Sequence, residues 1–461
     1  MHRISSRSIP YFLLILIFLV SHITCAHKGL VVEKYPEKIY SVPKLMPDVL
    51  DKNPTFIIYG DSRPGWQLHE KFLNRKNWLS WRVVLFPYWL ATGAIGGINR
   101  LRHTPDFGSK ENRMVRDAIY DEAKRSHVNF ILHAGDIATD GRRPKHWKTF
   151  LHENKIEHPL LEEFPYLPTV GNHEWANDLT YGLFNYQAVF SYPQFYVVDF
   201  PDAALFFVDS NFIIDGYRLI ENDKQDELFQ RWFISGEESD TPAWLERELA
   251  VRNKAFKIVV MHHPLISFGK HHKDWTNRLY GENLQIKRQK LLKLFREQGV
   301  QIVISGHEHL YEHNILRYRL DGSKLNHEIH FIVSGGGGSP LHSQSDAKKL
   351  AKYRQNYRRE GLDVLSVIQE RIYHYCLVQI EHDRVTIEVF QVTGDPAQPV
   401  SLVERITVVP HTLDNPLDTT KQMSLRSRVG DSEVLRRPYL FRLSFLQAFS
   451  SVFVFPSHCG G

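Results

Sequence analysis

Cysteine is nearly absent from this sequence. Three residues among 461 cannot build a disulfide framework, and Cys25 falls where a leader would be cut away, leaving Cys376 and Cys459. The same scarcity excludes a cysteine-ligated structural zinc site. Cys376 stands in a strand-like run and reads as a buried apolar residue. A strong charge of one sign is also missing. The formal charge is +5, and removing residues 1–26 takes away two arginines and no acid, leaving +3. A surplus that small points neither to nor away from a polyanionic partner. The N-terminal apolar run, Tyr11 to Val20, is shorter than the ~20 residues that span a bilayer. Gly335 to Gly338 lacks the Gly-Lys-Ser/Thr ending of a P-loop, so it reads as a tight turn beside a site. No internal repeat recurs at a fixed spacing.

What is present fits a globular protein: 43% hydrophobic and 24% charged residues, with length for one large core or two domains. His2, Arg3 and Arg7 precede the apolar run, and Thr24-Cys25-Ala26 offers small residues for cleavage. Residues 1–26 are therefore expected to be an export signal, with a retained anchor or lipidation of Cys25 as alternatives. Residues 27–53 form a lead-in segment. Residues 64–110 read as an insertion, apolar and aromatic from Trp78 to Ile98, packed as a lid or lying on a membrane surface. Residues 395–461 read as a tail. Its segment Tyr439 to Phe455 is rich in Phe and Leu and either docks on the body or touches a membrane.

Between these flanks, apolar runs end at polar turns. Thr55 to Tyr59 ends at Gly60-Asp61, Phe130 to Leu132 leads to Gly135-Asp136, and Leu205 to Val208 ends at Asp209. Tyr166 to Pro168 approaches Gly171-Asn172-His173-Glu174. Ile258 to Val260 ends at Met261-His262-His263, and Val300 to Ile304 at Gly306-His307-Glu308-His309. Helical periodicity over Met114–Ser126, Ala243–Val251 and about residues 285–298 alternates with these runs. The pattern predicts a layered α/β sandwich with its site at the C-terminal edge of the strands. Carboxylates, an amide oxygen and imidazoles suit first-row ions such as Fe, Mn or Zn.

Five of these motifs, in this order, resemble the calcineurin-like metallophosphoesterases, relatives of the purple acid phosphatases. They are Gly60-Asp61, Gly135-Asp136, Gly171-Asn172-His173-Glu174, Val259-x-x-His262 and Gly306-His307-Glu308-His309, over about residues 54–394. The resemblance implies two mixed β-sheets flanked by helices and two divalent or trivalent metal ions. Asp136 would bridge them. Asn172, His262 and His307 would complete one site, and Asp61 and His309 would hold the other. His173 would protonate the leaving oxygen or stabilise developing charge, while a metal-bound hydroxide attacks phosphorus. Two ions about 4 Å apart can clamp a phosphoryl group in this way.

The sequence departs from the family's first motif. Asp61-Ser62-Arg63 stands where Asp-x-His is common, and Thr139 stands where purple acid phosphatases carry a Tyr. One ligand is missing. Water or a residue such as Asp140 fills the gap, that site binds its metal weakly, or Arg63 reaches the substrate phosphate as a bidentate donor. Water with an Arg63–phosphate contact is preferred, and His263 is taken as substrate-facing. His133 and Asp140 read as packing and loop-capping residues, His271 and His272 as a solvated loop. The expected function is exported, extracytoplasmic hydrolysis of phosphomonoesters or phosphodiesters. The other class is a non-catalytic, membrane-associated binding protein on the same fold. No nucleic-acid-binding module is evident.

Overall fold

The computed structural model describes residues 47–63, 109–154, 159–175, 179–190, 192–214, 243–276, 284–320 and 326–411. The expected leader 1–26, the stretch 78–98, Cys459 and the apolar segment 439–455 lie outside them. Six strands form one sheet in the order β13 (Val400–Val408), β12 (Val385–Val392), β11 (His374–Ile380), β1 (Thr55–Tyr59), β2 (Phe130–His133), β3 (Tyr166–Pro168). Seven form the other: β10 (Asp363–Glu370), β8 (Tyr311–Tyr318), β9 (His327–Ser334), β7 (Ile302–Ser305), β6 (Phe256–Met261), β5 (Ala203–Val208), β4 (Tyr196–Asp199). Both sheets are mixed. β1, β2 and β3 run parallel, as do β5, β6, β7 and β9, while the outer strands pair antiparallel.

Strand alternation explains why these segments are apolar throughout. Phe56, Ile58, Phe130 and Leu132 face the other sheet's Leu205, Phe207, Ile258, Val260, Ile302 and Ile304 in one core. Their neighbours Ile57, Tyr59, Ile131 and Tyr166 point outward, onto Val115 and Ile119 of the helix Ser109–Arg125 and onto Trp147 and Phe150 of Pro144–His152. Phe206, Val259, Met261 and Val303 do the same on the far face, against Leu245 and Leu249 of Ala243–Val251 and Leu291 and Phe295 of Leu284–Glu297. A strand buried on both faces has no polar side to show, so its sequence loses the period-two signal. Cys376 is one of these buried residues, its thiol pushed up to about 12 by burial.

One expectation shifts. The domain edge at residue 394 falls inside the first sheet, because β13 pairs with β12 along its length. The stretch from Tyr375 to Val392 is a hairpin of β11 and β12. No helix of the described residues is long and apolar enough to cross a membrane. The parallel strands β1, β2, β3, β6 and β7 all end at the same edge of the sandwich, and that edge carries the polar turns.

Candidate metal centre

Backbone strain marks this edge first. Asp61, Asp136 and His307 hold φ of 57°, 59° and 69°, and the one other non-glycine residue with positive φ among the described residues is His127. Left-handed backbone at non-glycine residues is held by surrounding structure and concentrates at functional sites. Glycines let the turns approach. A Cβ on Gly171 would lie 2.2 Å from the Asp136 amide nitrogen, and one on Gly135 would lie 2.6 Å from His262 Nδ1.

Glu174 holds two of the turns together. Its Oε1 accepts the Ile137 and Ala138 N–H groups, each at 2.9 Å, and its Oε2 accepts those of Asp136 (2.9 Å) and Gly171 (2.8 Å). Burial and the nearby Asp136 push its carboxyl up to about 7, against the pull of those backbone donors. Asp209 plays a similar part behind the site, accepting from Trp175 Nε1 and Gln194 Nε2 at 2.8 Å each and from Asn211.

At the centre, acceptor atoms face one another. His262 Nδ1 donates to the Ala134 carbonyl at 2.8 Å, so its Nε2 carries a lone pair inward. His307 Nε2 donates to Asp274 Oδ2 at 2.9 Å, so its Nδ1 does likewise. These two nitrogens are 3.2 Å apart, with Asn172 Oδ1 at 3.0 Å and Asp136 Oδ1 at 3.3 Å from His262 Nε2. Asp61, Asp136 and His262 also have ligand atoms within 4.8 Å of one another, a group that could hold a cation, and the mix of N and O donors suits a first-row ion. Burial opposes ionisation of Asp136, yet the positive charge around it, with Arg63 Nε at 3.0 Å, holds the carboxyl well below its usual range.

The other side of Asp136 is different. Arg63 Nε donates to Asp136 Oδ2 at 3.0 Å, and Arg63 Nη2 lies 3.3 Å from His309 Nε2. Asp61 accepts the His307 N–H on Oδ2 at 2.7 Å, while its buried Oδ1 has no hydrogen-bond partner and lies 3.4 Å from His309 Nε2. Asp61, Asp136, Asn172, His262, His307, His309 and Arg63 are thus brought together. His173 joins them: Nδ1 donates to the Thr139 carbonyl at 2.6 Å, and Nε2 points back toward Asp136 Oδ2 at 3.8 Å. Burial, and then the Arg63 cation, push its imidazole down to about 4. His263 turns its Nδ1 to Ser210 Oγ at 2.9 Å, with its ring 4.4 Å from that of His307.

The family model for calcineurin-like phosphoesterases matches residues 103–311. Over that stretch the chain is similar to the calcineurin-like phosphoesterases. The match takes in Asp136, Asn172, His173, His262, His307 and His309; Asp61 and Arg63 lie before it. Purple acid phosphatase 4 of Arabidopsis thaliana is 27% identical over 222 residues, 46% of this chain and 58% of that protein. A second relative from the same plant, described as a probable inactive purple acid phosphatase 27, is 26% identical over 58% of this chain and 43% of its own length. The chain therefore spans well under two thirds of these two relatives. Among solved structures, purple acid phosphatase from yellow lupin (Lupinus luteus) seeds aligns with a TM-score of 0.47 and 15% identity, covering 81% of this chain and 55% of that one.

Sequence reading passed over several parts of this centre. Asp274, in the short helix Lys270–Thr276, orients His307 and also accepts His271 Nδ1 at 2.9 Å. No spacing rule ties it to a motif 33 residues on. His271, read as part of a solvated loop, has its ring centroid 3.9 Å from that of His307. The last residue of Gly-Asn-His-Glu was visible, but its role in gathering four backbone N–H groups was not. Asp140 caps its own loop by accepting from Arg142, and His133 packs on Tyr59 with Nε2 2.9 Å from Ser62 Oγ. The glycine run 335–338 packs on the first turn, where the Gly337 N–H donates to the Gly60 carbonyl at 2.9 Å.

Proposed function

We propose that this chain hydrolyses phosphate esters, monoesters or diesters, with metal held at the Asp136 centre. The observation that carries this is the meeting of Asp136 Oδ1, Asn172 Oδ1 and His307 Nδ1 on His262 Nε2, beside the imidazole of His173. A bound first-row ion supplies Lewis acidity toward a phosphoryl oxygen and lowers the pKa of water. The resemblance assigns a second ion to Asp61, Asp136 and His309, the group that Arg63 enters. His173, with Nδ1 held by the Thr139 carbonyl, is assigned the transfer of a proton from Nε2 to a leaving oxygen, which it can make only once the ring has taken up its second proton. The guanidinium of Arg63 has N–H groups beyond the two used here and is assigned to the phosphate, as is His263 through the ring nitrogen not turned to Ser210.

Export belongs to the same reading: a basic start, the apolar run Tyr11 to Val20 and small residues at Thr24-Cys25-Ala26. Sequencing the N-terminus of protein recovered outside the cell checks it, with Ala26 as the last residue removed.

A second reading, a binding protein without turnover, is favoured by one feature: Arg63 sits among the acceptors of the first motif. Metal content, with hydrolysis of p-nitrophenyl phosphate and its bis-ester on the same sample, separates the two. Turnover lost on chelation and regained with Mn, Zn or Fe supports the hydrolase. A chain that takes up no ion and turns over neither ester leaves the binding protein.

A further inference from the structure

Arg63 is a buried cation placed by its backbone. Its N–H donates to the Asp136 carbonyl at 3.3 Å, and Ser339 Oγ donates to the Arg63 carbonyl at 2.8 Å. The side chain therefore starts beside the centre and ends within it. His309 Nδ1 donates to the Pro340 carbonyl at 2.8 Å, so the Nε2 that meets Arg63 Nη2 is an acceptor. Asp136 Oδ2 accepts from Nε. Asp136 Oδ2, His309 Nε2 and Asp61 Oδ1 are the atoms the resemblance offers to the ion of the first motif, and the guanidinium takes two of the three. An ion bound there would sit about 2.0–2.2 Å from its ligands, inside the space the guanidinium fills, and would meet a fixed positive charge that does not titrate away. The residues present do not fit an ion in that half of the centre. Position 63 also lacks the imidazole, and position 139 the phenol, that would complete the ligand set.

We propose that the guanidinium of Arg63 stands in for the ion of the first motif, so that the centre holds a single metal ion on Asp136, Asn172, His262 and His307. This rests on the metal-dependent reading above and fixes its stoichiometry. The positive charge beside Asp136 Oδ2 is then permanent and part of the chain, and the remaining guanidinium N–H groups offer a planar fork to a phosphate.

The test is a metal count. The full chain is loaded with excess Mn²⁺, freed of loose ion and assayed by mass spectrometry, with electron paramagnetic resonance on the same sample. One Mn per chain and the spectrum of an isolated ion are expected. Arg63→His, which removes the guanidinium and restores an imidazole, is expected to bind two ions and show spin coupling. Two ions in the unaltered chain overturn the proposal and leave metal-dependent hydrolysis standing; no ion overturns both. Arg63→His remaining at one ion shows that the guanidinium is not what excludes the second. The count on the unaltered chain decides even where the variant fails to fold.

Discussion

Glu174 accepts the backbone N–H of Asp136 at 2.9 Å across 38 residues of sequence. One buried acid thereby fixes the turn that presents another. Because the same carboxylate also takes the N–H groups of Ile137, Ala138 and Gly171, the Asp136 turn and the Asn172 turn share a single anchor. Glu174→Gln puts an NH₂ group against two of those donors whichever way the amide is turned. Unsatisfied buried donors cost about 1–3 kcal/mol each. A loss of about 2–4 kcal/mol in unfolding free energy is expected in urea titration, together with a lower metal content.

His173 offers a cleaner separation of chemistry from structure. Its ring donates to the Thr139 carbonyl and is not one of the residues assigned to the metal. His173→Ala is expected to lower kcat by roughly 10²-fold or more, the range for general acid catalysis, with metal content unchanged. Full activity in this variant would remove the assigned role.

Asp274 acts through His307. It accepts His307 Nε2–H at 2.9 Å and so turns Nδ1 toward the centre. Carboxylate partners of ligating histidines are worth about 10–100-fold in metal affinity. Asp274→Asn is expected to shift competition with a chelator by about that factor, with a thermal midpoint close to that of the unaltered apo chain. An unshifted chelator curve would mean that His307 is oriented without it.

Acid should destabilise the fold through histidines that are buried and neutral. Burial, and then the nearby His262, push His133 down to about 3 against the opposing pull of Asp136; burial pushes His374 and His330 down to about 4. Each has a folded pKa below the ~6.5 of the unfolded chain, so the unfolded state takes up protons first. The stability they contribute is present above about pH 6.5 and is lost as pH falls toward 4 and 3. A urea midpoint of the metal-free chain that is lower at pH 5 than at pH 7 is expected, with His330→Gln flattening part of the slope. A His330→Gln slope equal to that of the unaltered chain would mean that this histidine does not contribute to it.

Asp209 carries no proposed chemistry, yet it is the acceptor for Trp175 Nε1 and Gln194 Nε2, both buried. Asp209→Ala leaves two donors unpaired behind the Asn172 turn, and a loss of about 2–4 kcal/mol is expected in thermal or urea unfolding. Metal content at low temperature should stay the same, which separates this residue from Glu174.

By itself the sequence determined where the site is. Strands buried on both faces, such as Thr55–Tyr59 and Phe256–Met261, must be apolar throughout, and the chain must turn polar where each one ends. Asp61, Asp136, Asn172, His262 and His307 are therefore legible as a set, although they are spread over more than half the chain. Edge strands were harder to read. β13 has exposed and half-buried positions with little apolar contrast, so its place in the sheet was missed. Only the tertiary structure decided which atoms face which. Sequence order puts Glu174 next to His173, but the closing of two turns makes it the acceptor for four N–H groups. Nothing local connects Asp274 to His307, or Arg63 to His309, because those contacts exist only once two sheets bring their strand ends to one edge. The missing imidazole at position 63 was visible in the sequence, and the fold alone showed a guanidinium in the space where it would have held an ion.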